Sequence, residues 1–193
     1  MRKAALLLAA SLVIGVSAQE RPRTLSDFFN DFTAEWMHAN PNLAAATRYF
    51  SGAEQDAFEQ QISPETPNFR HARVEVARKG LKDLASFDRA RMSEADRISA
   101  DLMQWQLNTI VEGDKYSDYY FPLEQFAGVN VTLPNILTVN HPLNTEADAE
   151  HYIARLGQVS TRMGSAVSGA LCRWRVRGWM ERRNRNRQRA LLR

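Results

Sequence analysis

Four histidines, one cysteine and a few groups of carboxylates are the residues of this 193-residue chain that could do chemistry. A helical zinc-hydrolase site needs two histidines four residues apart, a glutamate after the first and a third ligand elsewhere. His38, His71, His141 and His151 do not meet that requirement. No two are three or four apart, and none is followed by Glu. His141 and His151 stand ten apart across a helix start, a poor match to any metal site. All four are expected to be ordinary surface or capping residues.

Nucleophilic catalysis finds no better footing. Cys172 stands beside Arg173, but no base accompanies it. No Gly-x-Ser-x-Gly elbow is present. Glu54, Asp56 and Glu59 cluster in one polar stretch, while Asp83 and Asp88 flank a helix end. Such groups are expected on solvated faces, with nothing to fix a pair at catalytic separation. There is no phosphate-cradling glycine loop, and an acidic body disfavours nucleic acid. No catalytic, cofactor-binding or metal-binding residue is therefore expected in this chain.

One aromatic segment stands apart. Tyr116, Tyr119, Tyr120, Phe121 and Phe126 fall within eleven residues. They could form the lip of a ligand cleft, which would make the chain a free-standing periplasmic binding module. Packing across helix ends is the expectation, because rings bury large area wherever they occur.

The elements that would position these residues are helical. Thr24-Leu25-Ser26-Asp27 opens the first helix with a capping box, and Leu25, Phe28, Phe29, Phe32, Trp36 and Met37 share one face. Asn40-Pro41 ends it and starts a short second helix through Leu43 to Thr47. Ser51 to Thr66 is expected to be a polar linker. Pro67 begins a helix to about Phe87. Ser93 with Asp96 caps another, whose face carries Ile98, Leu102, Trp105 and Thr109, and Gly113 stops it. Thr145 with Asp148 caps a last helix faced by Ala149, Tyr152, Leu156, Val159, Met163 and Val167. With no strand-period segment, the expected fold is an all-α bundle, the N-terminal portion of a larger helical protein.

The two ends differ from this body. Arg2 and Lys3 precede an uncharged run from Ala4 to Val16, and Val16-Ser17-Ala18 suits a signal peptidase. Residues 1–18 are therefore expected to be an export signal cleaved before Gln19, too short to remain as a membrane anchor. From Gly169 to Arg193 there are nine Arg, no Lys and one acid, Glu181. Residues 19–168 hold 14 Lys plus Arg against 21 Asp plus Glu, so the basic character belongs to residues 169–193. That segment could bind anionic lipid or nucleic acid, could be a solvated disordered extension, or could be an out-of-frame translation of GC-rich DNA. The lack of Lys favours the last. A domain continued in another frame of the downstream DNA is the expected sign of it.

Five stretches resemble the N-terminal third of a bacterial family catalogued as domain of unknown function 885. They are Phe28 to Asn42 (FFNDFTAEWMHANPN), Leu81 to Leu107 (LKDLASFDRARMSEADRISADLMQWQL), Tyr120 to Gly128 (YFPLEQFAG), Leu133 to Thr145 (LPNILTVNHPLNT) and Ala147 to Leu156 (ADAEHYIARL). Their order and spacing cover most of residues 25 to 165. The resemblance implies a longer, exported, largely helical protein similar to zinc metallopeptidases, with a His-Glu-x-x-His motif far downstream. It implies no catalytic or metal residue here, with zinc expected only in the full-length parent. On that reading the chain is an exported N-terminal fragment, truncated or frameshifted near Gly169, and a C-terminal domain or peptide ligand is its possible partner.

Overall fold

The computed structural model describes residues 23–191, with side chains described through Arg175. The expected signal segment, residues 1–18, lies outside the described residues. Eight α-helices follow one another: α1 (Leu25–His38), α2 (Pro41–Thr47), α3 (Gly52–Glu59), α4 (Pro67–Leu84), α5 (Glu94–Gly113), α6 (Val129–Thr138), α7 (Glu146–Leu156) and α8 (Val159–Leu191). Two 3-10 turns, Arg89–Arg91 and Asp114–Tyr119, join them. Among the described residues there is no strand, and the all-α expectation holds.

The starts of the helices follow side-chain chemistry that the sequence displays. Thr24 Oγ1 accepts from Asp27 N at 3.1 Å, while Thr24 N donates to the Asp27 carboxylate at 2.9 Å. Thr145 and Asp148 repeat that reciprocal box at the head of α7 with the same two distances. Ser93 caps α5 through Asp96 N, and Thr66 caps α4 through Phe69 N. Each cap satisfies a backbone N–H that has no partner within its helix, worth about 1 kcal/mol. Asn40, expected to cap α2, stands at its N-cap position without a side-chain cap bond. Its side chain donates back to Trp36 O at 2.6 Å instead.

The apolar side chains gather in three clusters. Phe28, Leu84 and Ala100 bring α1, α4 and α5 together, bordered by Leu25, Phe29, Phe32 and Met103. Gly80 lets the α1 and α5 side chains approach α4, since a Cβ there would lie 2.8 Å from Phe32 Cδ2 and 3.0 Å from Leu107 Cδ1. Ala44, Ala45 and Phe58 join α2 to α3. Ile62, Val129, Leu133, Leu137 and Ala166 seat α6 and α8 against the chain that follows α3.

Several expectations are corrected. The polar linker contains α3, whose Phe58 is buried. A second unforeseen helix, α6, follows the aromatic segment and carries Pro134 within it. The expected last helix is two helices, divided at Gly157-Gln158, where Gln158 bonds Ile62 N and Gln60 O across the gap. On α5 the expected core face points outward: Ile98, Leu102 and Trp105 are 62%, 56% and 65% exposed, while Ala100 and Leu107 are buried. α8 runs through Gly169 as one helix, with Ala170 buried and Arg173 donating to Asp118 O and Ser117 O. No described helix is long and apolar enough to cross a membrane.

Candidate functional site

Two polar centres lie either side of the chain that follows α3. The first is a buried tie between α3 and α7. Glu59 is 5% exposed, and its carboxylate accepts from Gln55 Nε2 at 2.8 Å. Arg48 Nε stands 3.2 Å from one of its oxygens and His151 Nδ1 3.2 Å from the other. Arg48 also reaches Asp148 at 2.9 Å. It is the one non-glycine residue among those described with positive φ (47°), a left-handed turn at the end of α2 that aims its side chain here. Beneath it His141 Nε2 donates to Asp148 O at 2.8 Å, so Nδ1 is free to accept from Arg155 Nη1 at 3.3 Å. Arg155 is 2% exposed and also donates to Gln61 O. Burial pushes its guanidinium down, and Glu59 opposes that shift.

His141 and His151 are therefore buried members of the tie rather than the surface or capping residues expected, and Glu59 is buried rather than solvated. Asp56, Glu59 and His151 each offer a ligand atom, all within 4.8 Å of one another. The tie explains their meeting without a metal, because Glu59 already faces three protein donors and Asp56 is exposed.

Asp148 gives this tie a pH dependence. Backbone N–H groups of Asn144 and Thr145, the Thr145 hydroxyl and Arg48 hold its carboxyl below the usual aspartate value, with the Asn144 N–H the largest cause. A depressed carboxyl contributes stability that is complete above its unfolded value, about 3.9, and is lost as pH falls through the lower folded value. Urea midpoints measured from pH 6 down to pH 2.5 should fall less steeply below pH 4 in Asp148→Asn than in the natural protein. Parallel curves would show that Asp148 does not contribute to the acid slope.

The second centre is an open cleft of about 380 Å³, lined by Asn42, Ser63, Glu65, Arg70, Arg73, Tyr120 and Arg162 among others. Its rim is held where α2 meets the 62–66 segment: Asn42 N donates to Ser63 Oγ at 3.0 Å and Ser63 N to Asn42 Oδ1 at 2.9 Å. Glu65 is the one acid among the lining residues. It pairs with Arg70 at 2.9 Å and Arg162 at 3.2 Å. Arg73 forms no ion pair among the described residues and lies over the Trp36 ring at 5.3 Å. Arg70 lies over Tyr120 at 5.3 Å. Burial pushes the Arg73 and Arg162 guanidinium groups down and the Tyr120 hydroxyl up. Arg70 Nε, Arg73 Nε, and Arg162 Nε and Nη1 are buried without a hydrogen-bond partner.

The remaining candidates are scattered. His38 pairs with Glu54 and His71 with Asp114, both histidines half-exposed. Asp88 caps the turn at Arg89, Asp83 lies 3.8 Å from Arg23, and Cys172 is exposed. Of the aromatic segment only Tyr120 lines the cleft. Tyr119 and Phe126 are 82% and 80% exposed, and Tyr116 and Phe121 are exposed too, so these rings do not pack across helix ends as expected.

Comparison with known proteins gives one family and no closer relative. No curated protein and no solved structure matches the chain. A family described as a bacterial protein of unknown function, DUF885, matches residues 45–171, from α2 into α8. That span holds four of the five resembling stretches, both polar centres' Glu59, Arg73, His151 and Arg162, and the aromatic segment. Covering about two thirds of the sequence, the match shows that the chain belongs to the DUF885 family.

Proposed function

We propose that this chain is a ligand-holding helical module of an exported DUF885 protein, binding a peptide or similar small ligand in the cleft beside Tyr120. The cleft itself supports the reading. It is framed by four separate stretches, α2 with the 63–65 segment, α4, Tyr120 and α8, and several of its buried donors face no protein acceptor. The chain's own residues would bind and orient a ligand. The peptidase-like chemistry and the zinc that the resemblance implies would belong to residues outside this sequence, which contains no His-Glu-x-x-His. Export would rest on residues 1–18.

The test is an NMR titration of the secreted chain beginning at Gln19, with trialanine and its C-terminal amide as probes. Backbone resonances of Asn42, Ser63 and Tyr120 should shift in a saturable way with at least one probe, and Tyr120→Ala should weaken that response several-fold. Shifts confined to the α5 face around Trp105 would overturn the assignment of the cleft.

A further inference from the structure

Charge and hydrogen bonding in the cleft go further than its shape. Three guanidinium groups line it against one carboxylate, and that carboxylate is already shared by Arg70 and Arg162. Arg73 has an aromatic neighbour but, among the described residues, no ion pair, with Glu65 acting on it only from beyond contact distance. A buried polar N–H left without an acceptor costs roughly 1–3 kcal/mol, and more when the group is charged. Four such nitrogens belong to these three arginines. A fold pays nothing toward its own stability by gathering them. Arginine's planar fork is the side chain best matched to a carboxylate or phosphate, which it can grip by two parallel hydrogen bonds.

Neighbouring groups narrow the ligand. Leu43, Phe69 and Tyr120 supply apolar surface beside the guanidiniums, while Asn42 and Ser63 are already engaged with one another. A ligand with an anionic end and a less polar body fits that division. Resting on the binding role proposed above, we propose that the cleft is an oxyanion seat, in which Arg73 and Arg162 receive a carboxylate or phosphate group of the ligand.

The experiment follows the arginine Nε–H resonances of the secreted chain beginning at Gln19, titrated with acetate, inorganic phosphate, trialanine and trialanine amide. The Arg73 and Arg162 signals should move on titration with trialanine and with acetate. The amide, lacking the terminal charge, should bind about tenfold more weakly or worse, as expected for loss of a charged hydrogen-bonded pair. Arg73→Gln should reduce trialanine binding by a similar factor with the rest of the spectrum unchanged, and Arg73→Lys should restore it only in part because the fork is lost. A stronger response to phosphate than to acetate would assign the seat to phosphate-bearing ligands and still support it. If trialanine and its amide bind equally, the oxyanion seat is wrong while the binding module stands. If no probe shifts any cleft resonance, both are wrong. Shifts abolished by 150 mM sodium chloride would also overturn the seat, because they would reflect diffuse surface charge rather than a built site.

Discussion

Glu59→Ala should lower the unfolding free energy by about 3 kcal/mol, with the urea midpoint falling and the denaturant slope unchanged. The size follows from what the carboxylate serves. Its removal leaves the His151 Nδ1–H and one N–H of the Gln55 amide, whose nitrogen keeps only Ala45 O at 3.5 Å, buried without an acceptor, each costing roughly 1–3 kcal/mol. Arg48 adds less, because its side chain is 52% exposed and can turn to water. Glu59→Gln keeps one acceptor oxygen and should lose only about 1 kcal/mol. A Glu59→Ala protein as stable as the natural one would show that the carboxylate does not hold α3 to α7. Asp56, Glu59 and His151 would then have to be explained by a ligand rather than by folding.

What the sequence displays of this fold depends on how local the cause is. Helix starts are local: a Thr or Ser three residues before an Asp caps its own backbone, and α1, α5 and α7 begin where that pattern stands. Helices without such marks are hidden. α3 opens on Gly52 and holds one large apolar residue that is buried, Phe58, so it reads as linker. α6 carries Pro134, which removes one backbone donor and so argues against the helix that tertiary packing of Val129, Leu133 and Leu137 enforces. The outward face of α5 has a different cause. That helix is apolar on two sides, and packing against Phe28 and Leu84 selects small Ala100 over the larger Ile98 and Trp105.

Neither polar centre could be read from spacing. Glu59 meets His151 from 92 residues away, and Arg162 meets Glu65 from 97. Local patterns carry a partial signal: Arg70 and Arg73 are three apart, which places them on one face of α4. An Arg pair on a helix of an otherwise acidic body is a cue to a binding surface, but its convergence with Arg162 requires the fold. Composition divided the chain at Gly169, whereas the family match extends to residue 171 and Arg173 is bonded to the turn at Ser117 and Asp118. The described contacts therefore continue past the charge change at least as far as Arg173.

Gly128→Val should also cost about 3 kcal/mol, and it should remove trialanine binding from whatever fraction remains folded. Gly128 is the residue before α6, and its carbonyl accepts from Val131 N and Thr132 N at 2.9 Å. A Cβ there would collide with Glu124 N and lie 2.5 Å from Glu124 O, so backbone must move rather than the tip of a side chain. That places the change at the upper end of the roughly 1–3 kcal/mol expected for overpacking. The turn has little freedom to yield. Glu124 accepts from Phe126 N and Ala127 N, Val129 N donates to Pro122 O at 2.8 Å, and Pro122 is fully buried. Displacing Pro122 displaces Tyr120 two residues earlier, and with it the aromatic wall against Arg70. Gly164→Ala supplies the contrast. It has open space around its Cβ position and lies inside α8, so that substitution should stabilise the protein by roughly 0.5–1 kcal/mol. If thermal unfolding moved both variants in the same direction, close approach at Gly128 would not be what fixes the turn. The link from that turn to the cleft through Tyr120 would then have to be abandoned.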